Sequence, residues 1–354
     1  MKERETVFVT GASGFIGGWI VETLFIEGKM DVRPGIRNWS SATRLARFPL
    51  EIFLCDVMQP EQIERAIDGA TIVLHLATGS PEVIIQGTEN MLEAALKKRV
   101  RRFVFLSSTA VYGLTAGEID ESMPPISMGW DYADAKIEAE KLCWVYHKKG
   151  LPVTIIRPPI VYGPFSYDWV VRFAEKITSG NWGLFKEYGE GICNLLYVSD
   201  AVSGIIKAAT NDRAAGEIFN LSGPETTSWN DYTIKLNRAL GLPELQFINQ
   251  ARSKSVAIFT DLFKALAKLI LKYFENPIKT IYERSRYARI VMKGIELKIK
   301  TTASLSELKS YNRRGIIVDK KAREILNYQP RYGIEKGVEL SVQWLKLLGI
   351  ACPK

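Results

Sequence analysis

Apolar residues recur along this chain in two rhythms. Near the start, Val7-Phe8-Val9 is a short β-branched and aromatic run, and Trp19, Ile20, Leu24 and Phe25 then fall at helical spacing. The alternation repeats. Asp31–Arg37, Glu51–Val57, Thr71–Ala77, Arg101–Ser107 and Pro152–Ile156 read as strands, while Thr88–Lys98 and the stretch from Tyr132 through Val145 read as helices. Thr71–Ala77 is apolar on both faces, as strands of a parallel sheet tend to be. Strands that alternate with helices predict an α/β fold with a doubly wound parallel sheet over residues 1–165.

Beyond residue 165 the pattern is irregular. Helical segments near Trp169–Thr178, Ser199–Ala209 and Trp229–Leu240, strand-like runs at Asn194–Val198 and Ile218–Leu221, and a closing helix over Gly333–Leu348 predict a smaller mixed lobe. It spans 166–354, with some elements returning to the sheet. One stretch, Val256–Phe274, stands apart. Ile258, Phe259, Leu262, Phe263, Leu266, Leu269, Ile270, Tyr273 and Phe274 mark one face, and Lys264, Lys268 and Lys272 mark another.

Charge sharpens this last point. The chain carries +8, and between Arg252 and Lys300 twelve basic residues face four acidic ones. The excess therefore belongs to an insertion at about 253–300 and is not a general nucleic-acid footprint. A basic amphipathic helix packs on its own protein or on a second subunit, or lies on an anionic membrane surface. The four cysteines are scattered and there are two histidines, so no Cys/His metal cluster is expected. With no signal peptide and no long apolar run, the expected location is cytoplasmic, with peripheral contact at the inner face of a membrane through 256–274.

The chemistry begins at Thr10–Gly17. Gly11, Gly14 and Gly17 lie between the first strand and the first helix. Such a turn lets backbone approach a pyrophosphate, and the helix start offers free N–H groups to it. An ordinary strand-turn-helix carries the same glycines, so downstream residues decide. Arg37 stands where NAD-binding folds usually place an acid for the ribose 2′-OH; an arginine there suits a 2′-phosphate and tilts the cofactor toward NADP(H), with Arg44 and Arg47 close by in sequence. Asp56, at the end of the third strand, can bond an adenine amino group. His75 ends an apolar strand and reads as structural. Ser107 and Ser108 fall beyond the carboxyl end of a strand, where open sheets bind ligands. Tyr132 and Lys136 are four apart, on one helix face. A phenol with pKa about 10 is a poor base at neutral pH. A neighbouring ammonium lowers that value. Ser108, Tyr132 and Lys136 thus make a set for moving a proton at an alcohol oxygen during hydride transfer.

With these pieces assembled, the chain resembles the extended short-chain dehydrogenase/reductase family, also called the NAD-dependent epimerase/dehydratase family. The matching segments are TGASGFIG at Thr10–Gly17, DV at Asp56-Val57, HLA at His75–Ala77, GTEN at Gly87–Asn90, SSTAVYG at Ser107–Gly113, YADAK at Tyr132–Lys136, RPPIVYGP at Arg157–Pro164 and NLLYVSDA at Asn194–Ala201. The resemblance implies a Rossmann-type fold. It implies catalytic roles for Ser108, Tyr132 and Lys136, and cofactor contacts at Gly11, Ser13, Gly14, Phe15, Ile16, Gly17, Asp56, Val57, Leu76, Ala77, Thr78 and Pro159 besides Arg37, Tyr132 and Lys136. Thr109, Ile160 and Asn194 match positions near substrate. A homodimer is also implied.

Departures bear on the substrate. Ile84 and Ile160 stand where many nucleotide-sugar members carry asparagine. Thr109-Ala110 follows Ser108 where nucleotide-sugar 4,6-dehydratases place an acid, which argues against water elimination. Three readings remain. The first is an epimerase or reductase acting on a nucleotide-linked sugar. The second is an alcohol dehydrogenase or ketoreductase for a hydrophobic substrate, similar to the 3β-hydroxysteroid dehydrogenase branch; NAD(H) serves either if Arg37 is a plain surface residue. The third, disfavoured by the intact Ser-Tyr-Lys set, is a cofactor-binding regulator without catalysis.

Overall fold

A computed structural model describes residues 4–180, 182–248 and 301–350, with single positions 258, 262, 285, 287 and 294. The first strands and helices follow directly from the apolar rhythm. β1 (Thr6–Thr10), β2 (Asp31–Ile36), β3 (Phe53–Leu54), β4 (Ile72–His75), β5 (Arg102–Leu106) and β7 (Val153–Arg157) are joined by a strand at Glu217–Asn220. These seven form one sheet in the order Glu217–Asn220, β7, β5, β4, β1, β2, β3, with every pair parallel. β4 is buried at all four positions, which explains its unbroken apolar run.

The helices of this unit are α1 (Phe15–Glu27), α2 (Pro60–Ala66), α3 (Pro81–Lys97) and α4 (Asp131–Lys148). α1 stops at Gly28, whose φ of 62° is left-handed. α4 carries Asp131 and Asp134 in its first turn and His147 and Lys148 in its last, matching the helix dipole at both ends. α3 starts well before the expected Thr88. Ser80 caps it by accepting from Val83 N, and Pro81 fills its first position. The chain leaves β1 toward β2 and β3, then returns to β4 on the other side of β1. The strand order thus reverses between β1 and β4, the place where open α/β sheets bind ligands.

The chain divides into two units. The first holds residues up to Val161 together with Asn194–Pro224 and Gly315–Gly333. In it β6 (Gly117–Ile119) pairs with Gly315–Ile317. The second unit holds Tyr162–Cys193, Glu225–Arg314 and the residues from Ile334 onward. Its core is aromatic: Trp229 and Tyr311 have ring centres 4.2 Å apart, and Phe173 lies against Trp182, Trp229 and Tyr232. Lys176 is buried there, donating to Glu307 and lying over the Trp182 ring. The expected closing helix is present at Ile334–Leu347. The amphipathic stretch Val256–Phe274 lies outside the described residues, apart from Ile258 and Leu262. Among the described residues no helix is long and apolar enough to cross a membrane.

Candidate active site

The glycine turn is built on backbone contact. Gly11 has a φ of +64°, and a Cβ there would stand 3.1 Å from the Leu76 and Ala77 backbone. Gly14 N donates to Gly11 O. A Cβ on Gly17 would lie 2.2 Å from that same oxygen, so only glycine lets α1 start here. The N-cap is Gly14, which brings no side chain, and the first turn of α1 holds no acid. These features fit a dinucleotide: a cradle that side chains would fill, beside helix N–H groups and with no negative charge to repel phosphate. Ser13, Phe15 and Ile16 complete the turn.

Thr10 ties this turn to β4. Its Oγ1 accepts from Leu76 N (3.0 Å) and Ala77 N (3.1 Å) and lies 2.9 Å from His75 Nδ1. With both amides donating to it, the Thr10 hydroxyl has its proton left for Nδ1. Nε2 is then protonated and donates to Thr88 Oγ1 at 3.1 Å, which donates onward to Ile84 O. Burial, with the charge of Lys136 adding to it, holds the His75 pKa down to about 3. The ring is therefore a neutral structural group.

On the adenosine side, Arg37 follows β2, is exposed and has no partner among the described residues. Arg44 and Arg47 are engaged. Arg44 donates to Phe15 O and Glu22, and Arg47 pairs with Glu22 at 2.6 Å. Asp56 accepts from Met58 N, Val57 O accepts from Asn90, and Val57 packs against Gly87. Leu76, Ala77 and Thr78 leave the end of β4 progressively more exposed.

At the end of β5, Ser108 accepts from Ala110 N, and its hydroxyl lies near enough to Tyr132 to favour the phenolate. The Tyr132 ring is 45% exposed, open for a ligand to approach. Lys136, one turn along α4, is buried; Nζ donates to Leu106 O at 2.7 Å and sits 4.6 Å from the Phe105 ring centre. Burial pushes its pKa down to about 8, against the opposing pull of Cys143 and Glu140. The expected depression of the Tyr132 pKa by Lys136 is absent. Partial desolvation of the phenol moves it up, with only the nearby Ser108 hydroxyl opposing, while Lys136 Nζ donates to a carbonyl and lies 5.9 Å from the Tyr132 ring centre.

Sequence reasoning missed a buried network beside this set. Glu140, one further turn along α4, accepts from Ser107 Oγ (2.5 Å), Arg157 Nε (2.9 Å) and Arg157 Nη2 (2.5 Å). Arg157 Nη1 donates to Tyr112 Oη, which donates to Asn220. The only hint was an arginine closing an apolar strand in RPP.

The positions assigned to substrate differ in their freedom. Thr109 N donates to Pro158 O. Pro159 and Ile160 are half-buried, and Ile160 N donates to Asn194 O. The Asn194 side chain donates to Gly315 O and accepts from Ile317 N. Ile84 is 1% exposed within the core, so its apolar character reflects packing on α3 and says nothing about substrate. Among the described residues no group of His, Cys, Asp and Glu could hold a metal.

The chain is similar to known proteins in sequence and in fold. Residues 7–222 match the NAD dependent epimerase/dehydratase family. An uncharacterized UDP-glucose epimerase of Bacillus subtilis is 28% identical over 257 residues, covering 63% of this chain and 78% of that protein. The N-acetyl-alpha-D-glucosaminyl-diphospho-ditrans,octacis-undecaprenol 4-epimerase of Escherichia coli O157:H7 is 27% identical over 251 residues, covering 67% and 73%. In fold, the chain resembles the UDP-glucuronic acid 4-epimerase of Bacillus cereus solved with NAD, with a TM-score of 0.71, 20% identity and coverage of 97% and 99%.

Proposed function

Since the chain belongs to the NAD dependent epimerase/dehydratase family, we propose that it is an epimerase or reductase acting at a secondary alcohol of a nucleotide-linked sugar. The grouping of Ser108 and Lys136 around Tyr132, in the unit that also holds the glycine turn, carries this reading. Bound NAD(P) supplies a hydride acceptor and donor. Gly11–Gly17 and the start of α1 hold its phosphates, and Asp56 its adenine. Arg37, which follows β2 and has no partner among the described residues, favours a 2′-phosphate and hence NADP(H). Tyr132 takes the proton from the substrate hydroxyl on oxidation and returns it on reduction. Ser108 bonds the same oxygen and orients it. Lys136 is buried beneath the Tyr132 ring, its Nζ 5.9 Å from the ring centre.

Two measurements test this together. UDP raises the melting temperature of a protein whose native state alone binds it. Tyr132→Phe lowers turnover of UDP-glucose by about 10²–10⁴-fold, the worth of a positioned acid-base group, and leaves NAD affinity unchanged. Full activity in that variant removes Tyr132 from the mechanism.

A membrane reading is favoured by one observation. Ile258 and Leu262, four apart in sequence, are 47% and 64% exposed on a stretch rich in lysine. Such a surface suits contact with anionic lipid, where a lipid-carried sugar diphosphate would also lie. Flotation with anionic liposomes brings the protein to the top of the gradient; protein that stays at the bottom refutes this contact.

A further inference from the structure

Three successive turns of α4 meet the last residues of one strand. Tyr132 lies near Ser108, Lys136 donates to Leu106 O, and Glu140 accepts from Ser107. The Glu140 rung differs from the other two because it is also tied to a second strand. Both of its oxygens receive Arg157, which closes β7. Arg157 in turn reaches Tyr112 and, through it, Asn220 on the edge strand. Glu140 is 3% and Arg157 1% exposed.

A buried ion pair is poor evidence for stability, since apolar replacements of similar volume often do as well or better. Its placement needs another explanation. We infer that the Glu140–Arg157 pair is a positioning device for the catalytic set: by fastening the ends of β5 and β7 to α4, it sets the separation of Ser108 from Tyr132. This rests on the assignment of Ser108 and Tyr132 made above. Glu140 and Arg157 touch no reacting atom in this scheme; they act through Ser107, the neighbour of Ser108.

The pair can be removed as a unit. Glu140→Leu with Arg157→Met takes out one negative and one positive charge, but it also removes a carboxylate that helps keep Lys136 charged beneath the Tyr132 ring, so the variant that leaves both charges in place decides the matter. Ser107→Ala cuts only the tie to β5 and keeps the ion pair, which guards against a double variant that fails to fold. The readout is the titration of Tyr132 in NAD-loaded protein, followed by ¹³C NMR of ζ-labelled tyrosine and assigned with Tyr132→Phe. Moving Ser108 away from Tyr132 raises the Tyr132 midpoint by about half to one pH unit. Turnover of UDP-glucose falls about tenfold or more with KM changed less than about threefold, as expected for a group positioned for the transition state. An unmoved Tyr132 midpoint in the folded variants overturns the inference. If the parent protein leaves UDP-glucose untouched, the proposed substrate fails while the tyrosine titration still decides the role of the pair.

Discussion

Gly17→Ala probes the cofactor turn at its tightest point. The new Cβ would lie 2.2 Å from Gly11 O and 2.9 Å from Gly11 C. Even a close carbon–oxygen contact needs about 3.3 Å, so the turn and α1 must separate by about 1 Å. Overpacking of this kind costs roughly 1–3 kcal/mol. Alanine returns about 1 kcal/mol as the better helix former, which leaves the fold intact and only modestly destabilised. The larger effect falls on the ligand. The N–H groups of the first helical turn move by about the same distance, and one lost hydrogen bond to a charged group is worth about 1.5–3 kcal/mol. NAD affinity should fall about 10- to 150-fold, read by isothermal titration calorimetry. Gly18→Ala is the control on the same helix. Its Cβ would meet the Arg44 guanidinium at 2.7 Å, the far end of a flexible side chain that can move aside. If Gly17→Ala binds NAD within twofold of the parent, the backbone contact does not shape the phosphate site.

Further expectations concern charge. His75, with a pKa near 3 in the fold against about 6.5 when unfolded, takes up a proton in the unfolded chain first. Stability is therefore lost as pH falls from about 6.5 toward 3, by about 2 kcal/mol at pH 5, and melting curves of His75→Asn should show a flatter pH dependence over that range. Arg37→Ala should lower the NADP-to-NAD affinity ratio by about tenfold, the loss of one charge-assisted contact to phosphate; an unchanged ratio takes Arg37 out of the site.

How far the sequence could be read depended on how local each signal was. The sheet was legible because its strands are buried runs between helical patterns, as in β4, and the glycine turn because its spacing is a local steric demand. The start of α3 was hidden by its own first turns, where a Ser-Pro cap precedes a glutamate and a contiguous β-branched run, Val83-Ile84-Ile85, without helical spacing. Ile84 was misleading for the same reason. An apolar residue on a helix can face core or ligand, and only the packing tells which. Arg44 and Arg47 sit near Arg37 in sequence, but Glu22 on α1 claims both. The Glu140 clamp was invisible because Ser107, Glu140 and Arg157 come from three separate elements whose register appears only when the sheet forms.

The first unit takes back Gly315–Gly333 late in the chain. Ile317 reaches the amide of Asn194, Gly315–Ile317 runs beside β6, and Arg331 N and Tyr332 N donate to the buried carboxylate of Asp200. During synthesis, closure of this unit therefore waits until Gly333 has emerged, a long-range demand that slows folding. A product released short of Gly315 leaves β6 an open edge and Asp200 a buried carboxylate without its two amides. Cells should meet such fragments as substrates for proteases and chaperones rather than as enzymes of reduced activity.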